Sequence, residues 1–117
     1  YHFKNLRFSM EHVGGYCFFL EALAVMQNNQ KDPPRIYAGL TSVSDKEGNH
    51  FWYQSDERLY ELLWQTGEDA SLFGLDFPYN DAQKIQEAIA RIQGLDIPQT
   101  AKEKILGGNL RRVLSWD

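Results

Sequence analysis

The sequence predicts an α/β fold in which parallel strands alternate with helices, organised as part of an eight-unit βα barrel. Three short apolar runs, near residues 6–12, 36–43 and 72–76, are each followed by a segment with helical character. They recur at intervals of roughly 30–35 residues, and a barrel of about 250 residues allots about 31 to each of its eight units. Because three strands cannot close a barrel and would expose two apolar edges, the chain is expected to be a fragment.

Composition and charge indicate one domain fragment that spans residues 1–117. The chain has 117 residues, of which 43% are hydrophobic, and its net charge is −4. Basic residues form no face for a nucleic-acid partner. No apolar run approaches the roughly 20 residues that span a bilayer, and no signal-peptide pattern opens the chain, so we expect no membrane partner and a cytoplasmic location. Cys17, the single cysteine, is predicted to be a buried structural thiol.

The first predicted strand ends at a histidine and two glycines. Leu6 to Glu11 alternates imperfectly between apolar and polar side chains and stops at a His-Val-Gly-Gly run that begins at His12. His12 then lies at a strand end, where α/β barrels hold reactive groups, and the alternative is a hydrogen-bonded packing role. A tight turn explains the two glycines adequately, because without a longer fingerprint they are weak evidence for phosphate binding.

The helix after this turn is predicted to be buried on most of its circumference, since nearly every residue from Tyr16 to Met26 is apolar. Ile36 to Val43 follows as a second buried strand. A polar insertion from Ser44 to Ser55 then carries four ring-bearing residues, His50 to Tyr53. This aromatic loop either shapes a substrate pocket or anchors the insertion to the protein surface, and anchoring is the favoured alternative.

The rest of the chain is predicted to form one strand and four helices. The helices have start and stop signals: Ser55 or Asp56 is expected to cap the first, Asn80 or Asp81 the second, and glycines follow their ends. Trp64 is placed in the apolar stripe of the first of them. The predicted spans are helix Asp56 to Gln65, strand Ser71 to Asp76, and helices Ala82 to Gln93, Gln99 to Leu106 and Leu110 to Ser115, with Asn109 capping the last.

The third strand ends on a carboxylate. The apolar run from Leu72 stops at Asp76 and is broken by Pro78, and a carboxylate at the carboxyl end of a buried parallel strand is where α/β folds place chemistry. We therefore predict that Asp76 is catalytic. The alternative is that it caps the turn or the helix that begins near Asp81. Parallel strands would bring His12 and Asp76 to the same edge of the sheet.

Three motifs, in this order and spacing, resemble the carboxyl-terminal part of metal-dependent amidohydrolases. They are the run at His12, Phe-Gly-Leu-Asp-Phe-Pro from Phe73 to Pro78, and Ile-Leu-Gly-Gly-Asn-Leu-Arg-Arg-Val-Leu from Ile105 to Leu114. The branch that the chain resembles includes aminocarboxymuconate semialdehyde decarboxylase and related TIM-barrel hydrolases. The resemblance implies that the strands are the last three βα units of a (β/α)8 TIM-type barrel, followed by carboxyl-terminal helices.

The resemblance also implies a metal site. In that family the histidine that ends the sixth strand lies beside the metal, and the aspartate that ends the eighth binds or faces the metal and handles a proton. These positions are His12 and Asp76, which we expect to be catalytic residues and ligands of a divalent metal, zinc above all; Asn109 would be structural. The family's paired histidines on its first strand and the histidine on its fifth have no counterpart here. Because a catalytic zinc commonly takes three protein ligands, the chain alone is expected to be inactive.

The implied function is hydrolysis or decarboxylation of a small-molecule substrate, and the sequence does not choose between them. Asp76 would accept a proton from metal-activated water, and His12 would polarise the substrate or shuttle the proton. One alternative is a doubly wound signalling module with Asp76 as phosphoacceptor, although such modules have about five βα units. Another is a non-catalytic interaction module. Either self-association or a missing amino-terminal barrel half is expected to cover the exposed sheet edges.

Overall fold

The computed structural model describes Phe3 and residues 5–115, and their strands form one parallel sheet. Strand order follows chain order, as expected for consecutive right-handed βα units. The predicted mixed α/β fold with three parallel strands is thus confirmed. The strands are β1 (Phe8–Glu11), β2 (Ile36–Leu40) and β3 (Ser71–Phe73).

The strand register decides which side chains meet across the sheet. Glu11 of β1 lies beside Gly39 of β2, and Leu40 of β2 lies beside Phe73 of β3. Ala38 and Leu40 belong to the apolar core that the helices cover. Because successive side chains alternate between faces, Glu11 and Gly39 belong to the opposite face of the sheet.

A helix follows each strand. Ser55 and Asp81 cap two of these helices as predicted, since their side chains accept hydrogen bonds from the amides of Arg58 and Lys84. Short 3-10 turns precede the first helix and β3. The helical elements are the turn His12–Gly14, α1 (Gly15–Asn28), α2 (Asp56–Thr66), the turn Glu68–Ala70, α3 (Ala82–Gly94), α4 (Gln99–Glu103), a π-helical turn Lys104–Gly108, and α5 (Asn109–Val113).

The core lies between the sheet and the helices. Burying these side chains stabilises the fold by roughly 1.5–3 kcal/mol for each large aliphatic or aromatic group. Among the described helices none is long and apolar enough to cross a membrane. The buried core residues are Val13, Phe19, Ala22, Leu23, Met26, Ala38, Leu40, Val43, Leu59, Leu62, Ala70, Ile92, Leu95 and Ile105.

Burial of α1 around most of its circumference, which we expect to depend on a partner, does not occur within the described residues of this chain. One side of the helix, which includes Phe19 and Leu23, lies in the core, whereas Tyr16, Phe18 and Leu20 are exposed. The buried thiol predicted at Cys17 is wrong for the same reason, since that residue is also exposed. An apolar sequence shows that a helix can be buried, but only neighbouring elements bury it, and within the described residues α1 has neighbours on one side.

Two predictions in later helices are also corrected. Trp64 is 81% exposed and lies outside the apolar stripe of α2. Asn109 does not cap a helix, because Gly108 and Asn109 both have helical backbone angles and the chain continues from the π-helical turn into α5. Its side-chain amide instead donates to the carbonyl oxygens of Glu68, at 2.7 Å, and Ser71, at 2.8 Å.

Candidate active site at the carboxyl edge of the sheet

A residue with a left-handed backbone follows each of the three strands. His12, Ser42 and Asp76 have φ of 57°, 57° and 54°, and each lies within three residues of the end of its strand. This conformation is uncommon for residues other than glycine and costs of order 1–3 kcal/mol where surrounding contacts maintain it. It turns the chain sharply out of the sheet and fixes the direction of each side chain.

The His12 ring is held on two sides. Its Nδ1 lies 2.6 Å from the carbonyl oxygen of Thr41, and its ring stacks on Trp52 with a centroid distance of 4.7 Å and an interplanar angle of 23°. A carbonyl oxygen only accepts hydrogen bonds, so Nδ1 carries the proton. In the neutral ring this leaves Nε2 as the nitrogen that can bind a metal or accept a proton.

The Asp76 carboxylate is exposed and is anchored through one oxygen. The Ser42 hydroxyl donates to Oδ2 of Asp76 at 2.7 Å, and the Asn80 side-chain amide donates to the Ser42 hydroxyl at 2.8 Å. The Asn80 backbone amide also donates to the Asp76 carbonyl oxygen at 2.9 Å. These bonds set the direction of the carboxylate and leave Oδ1 as the oxygen that faces solvent or a ligand.

Two consecutive residues after β2, Thr41 and Ser42, therefore orient the two predicted site residues. The carbonyl oxygen of Thr41 accepts a hydrogen bond from the ring of His12, which follows β1. The hydroxyl of Ser42 donates to the carboxylate of Asp76, which follows β3. The structure thus places both at the carboxyl edge, in the arrangement that the parallel strands predicted. Their catalytic and metal-binding roles stay predictions.

A second carboxylate, Glu11, lies at this edge and was not predicted from the sequence. The Thr41 hydroxyl donates to Oε2 of Glu11 at 2.9 Å. Gly39 makes room for this carboxylate, because a Cβ at that position would lie 2.7 Å from both of its oxygens. The signal was present in the sequence, since Glu11 directly precedes His12 and Thr41-Ser42 directly follows an apolar run.

The aromatic loop is anchored to the β1–α1 turn, the favoured alternative. The Tyr16 amide donates to the Phe51 carbonyl oxygen at 2.8 Å. Gly15 permits this approach: its φ is 66°, and a Cβ there would lie 2.7 Å from the Phe51 oxygen. The buried Gln54 side chain donates to the carbonyl oxygens of His12 and Gly15. Because the same loop brings Trp52 against His12, anchoring also shapes the edge.

The two predicted ligands are chemically suited to a divalent metal, but two ligands are too few for a complete site. Imidazole nitrogen and carboxylate oxygen are common zinc donors, and His12 Nε2 and Asp76 Oδ1 are the atoms that their hydrogen bonds leave over. Within the described residues no group of three or more His, Cys, Asp or Glu side chains is arranged to hold a metal ion. The described part of the chain therefore does not complete a three-ligand site.

A cavity lies at the opposite edge of the sheet. It has a volume of about 490 Å³, and Met26, Arg35, Ile36 and Asp69 are among the residues that line it. None of the predicted site residues contributes to it, and it faces the amino ends of β2 and β3. We place the candidate active site at the carboxyl edge, because the oriented His12 and Asp76 side chains lie there rather than in this cavity.

No protein-family model and no curated protein matches the sequence. Solved structures do share the fold. A 5-carboxyvanillate decarboxylase from Sphingomonas paucimobilis has a TM-score of 0.66 and 20% identity, with 97% of this chain and 35% of that chain covered. An amidohydrolase from Burkholderia multivorans with bound HEPES has a TM-score of 0.66 and 13% identity, with 94% and 45% covered. The same amidohydrolase with bound zinc gives a TM-score of 0.65.

A third protein supports the same conclusion. A 2,6-dihydroxybenzoate decarboxylase in complex with 2,6-dihydroxybenzoate has a TM-score of 0.52 and 20% identity, with 71% of this chain and 22% of that chain covered. The chain thus spans between 22% and 45% of the length of these proteins. The resemblance predicted from the sequence is confirmed in the fold: the chain has the fold of a part of the amidohydrolases and their related decarboxylases.

Proposed function

We propose that this chain supplies part of the active site of a metal-dependent hydrolase or decarboxylase that acts on a small-molecule substrate. The observation that carries the proposal is the pair of consecutive residues, Thr41 and Ser42, that orient His12 and Asp76 at one edge of the sheet. The fold shared with two decarboxylases and a zinc-containing amidohydrolase supports it. That fold resemblance covers less than half of each of those proteins, and we propose that the complete site lies in a larger assembly.

His12 Nε2 and Asp76 Oδ1 are the atoms that would hold a divalent metal, zinc above all. The further ligands would come from residues outside this chain, in a missing amino-terminal barrel half or in a second copy. When bound, such an ion supplies a water of lowered pKa, near 7, and charge stabilisation for a polarised oxygen. Without the further ligands the chain alone would be inactive.

Asp76 would act as the proton carrier in either reaction. In hydrolysis its carboxylate accepts the proton that an attacking water loses; in decarboxylation it delivers a proton to the carbon that releases carbon dioxide. Ser42 donates to Oδ2, so Oδ1 is the oxygen that would either bind the metal or, where Asp76 only faces the metal, exchange the proton. His12, fixed by Thr41 and Trp52, would polarise the substrate or pass the proton on.

Metal content and turnover of the natural full-length protein test this proposal together. We expect about one divalent metal per chain by elemental mass spectrometry, and in a His12→Asn, Asp76→Asn double variant a loss of metal affinity larger than the roughly 10–100-fold typical of an outer-shell change, because two direct ligands are removed. Carbon dioxide release from hydroxylated aromatic acids, and hydrolysis of amides, esters and lactones, identify the reaction. On the active substrate, Asp76→Asn should lower kcat by about 10²–10⁴-fold, because it removes the proton carrier.

The matched control is an Asp96→Asn variant, which makes the same chemical change as Asp76→Asn at an exposed position outside the candidate site. It should keep the metal and the activity of the wild type. If the His12 and Asp76 variant also keeps both, the two residues have no role in the site and the proposed function is wrong.

A self-associating interaction module is the second candidate function. Exposed apolar side chains on α1, including Phe18 and Leu20, and Phe8 on the edge strand β1 favour it. Light scattering on the metal-free protein separates the two candidates: a stable assembly that forms without metal and without turnover would support the interaction module.

A further inference from the structure

We propose that Ser42 and Asn80 are positioning residues that fix the Asp76 carboxylate and reserve its Oδ1 for the metal or the proton. This inference rests on the proposed function and adds two residues to it that the sequence motifs did not identify.

A chain of hydrogen bonds runs from the protein interior to the exposed carboxylate. The Asn49 side-chain amide donates to Oδ1 of Asn80 at 3.4 Å, Nδ2 of Asn80 donates to the Ser42 hydroxyl at 2.8 Å, and that hydroxyl donates to Asp76 at 2.7 Å. Asn49, Asn80 and Ser42 are 4%, 6% and 9% exposed, whereas Asp76 is exposed. The buried end of this series of hydrogen bonds is therefore fixed by packing, and it sets the direction of the exposed Asp76 carboxylate.

Each hydrogen bond in this series is donated in the direction of Asp76. Nδ2 of Asn80 also donates to the carbonyl oxygen of Leu75 at 3.2 Å, which fixes the orientation of the amide because the reverse orientation would place two oxygens together. Since Asn80 donates to the Ser42 oxygen, the single hydroxyl proton of Ser42 is free to point at Asp76.

The backbone conformation of Ser42 favours glycine, which indicates that this position holds a serine because of its hydroxyl group. Its φ of 57° is the conformation for which glycine is the usual residue. A serine there maintains backbone strain that a glycine would relieve, and such strain is concentrated at functional sites. What the serine adds to a glycine is the oxygen that links Asn80 to Asp76.

The Ser42→Gly variant separates positioning from folding. It removes the hydroxyl and at the same time relaxes the backbone, so the thermal midpoint should stay close to that of the wild type. We expect a 10–100-fold loss of zinc affinity by chelator competition on the natural full-length protein, as for other groups that orient a metal ligand. On the active substrate kcat should fall by a similar factor with little change in KM, because Asp76 acts on the reacting atoms.

Ser115→Gly is the matched control, because Ser115 is an exposed serine with a φ of 51° outside the site. It should change neither zinc affinity nor kcat. If Ser42→Gly fails to fold, Asn80→Asp serves instead: it replaces the donor to Ser42 by an acceptor, which draws the hydroxyl proton away from Asp76, and the same losses are expected.

The two proposals fail in different ways. If Asp76→Asn loses zinc affinity and turnover while the folded Ser42→Gly and Asn80→Asp variants keep both, the positioning role is wrong and the proposed function stands. If Asp76→Asn itself keeps both, the proposed function is wrong and the positioning role falls with it.

Discussion

Two buried carboxamides hold the opposite edges of the sheet, and both side chains are fully buried. At the carboxyl edge, Nε2 of Gln54 donates to the carbonyl oxygens of His12, at 3.1 Å, and Gly15, at 2.8 Å. At the amino edge, Nδ2 of Asn109 donates to those of Glu68, at 2.7 Å, and Ser71, at 2.8 Å. The same chemical group thus closes the turn after β1 and the turn before β3.

The surroundings of the two amides differ. Gln54 holds a turn in which His12 and Val13 both have positive φ, and its Oε1 accepts a hydrogen bond from Arg58. Asn109 holds a turn that enters β3 with an extended backbone, beside ion pairs that tie the carboxyl-terminal helices to residues 68 and 69. The turn at the carboxyl edge therefore maintains backbone strain beside the proposed site residue His12, whereas the turn at the amino edge is relaxed and stabilises the fold.

The largest effect is expected for Gln54→Ala. It leaves two backbone carbonyl oxygens without their donor and removes an acceptor of Arg58, so we expect the free energy of unfolding to fall by about 2–4 kcal/mol. The zinc affinity of the proposed site should fall as well, because the loop that carries Trp52 loses one of its attachments beside His12. Urea denaturation and chelator competition measure the two effects.

Gln30→Ala is the control, since Gln30 is exposed and its hydrogen bonds lie at the protein surface. A change within about 0.5 kcal/mol is expected there. If Gln54→Ala keeps the zinc affinity of the wild type, the anchored loop does not support the site and the contrast between the two edges is wrong.

Local sequence patterns predicted the elements that depend on neighbours along the chain. Apolar periodicity and capping residues gave α2 and α3 to within a residue at each end, and an apolar run gave β2. The predicted strand ends ran too far, because Ser42 and Asp76 leave the ladder through left-handed conformations that no local pattern reveals. Parallel pairing was enough to place His12 and Asp76 at one edge.

Contacts between distant parts of the chain were beyond such patterns. Ser42 meets Asp76 across 34 residues and Asn80 across 38, and these contacts depend on the strand register. Asn109 resembled a helix cap because it follows two glycines, yet its amide reaches residues 41 and 38 positions earlier. The exposed face of α1 also escaped prediction, since burial depends on which elements cover a helix rather than on its composition.

A smaller effect, confined to stability, is expected for Asn109→Ala. Two carbonyl oxygens at the start of β3 lose their donor, which should cost about 2–3 kcal/mol in the free energy of unfolding. Zinc affinity below the unfolding transition should not change, since the turn lies at the edge away from His12 and Asp76. Asn29→Ala, at an exposed asparagine that donates to Val25, is the control. A loss of zinc affinity as large as that of Gln54→Ala would show that the two edges are not independent.

The smallest effect belongs to Asp69 at the amino edge, and it depends on pH. A hydrogen bond from Arg112, opposed by burial and aided by Lys104, lowers the pKa of Asp69 below its ordinary value of 3.8. A carboxyl group with a lowered folded pKa stabilises the protein fully above its ordinary pKa, and this contribution is lost as the pH falls through the folded value. Because the side chain is 41% exposed, solvent screening limits the contribution to less than about 1 kcal/mol.

Asp69→Asn should therefore be less stable than the wild type at pH 7 by less than about 1 kcal/mol, and the difference should shrink as the pH is lowered from 4 towards 2. Urea denaturation at several pH values measures it, with the exposed Asp96→Asn as a control whose stability follows the wild type throughout. A difference that stays constant with pH would mean that Asp69 acts through packing rather than charge. A difference in the free energy of unfolding that disappears at low pH would show that ion pairs, rather than backbone constraint, distinguish the amino edge from the carboxyl edge.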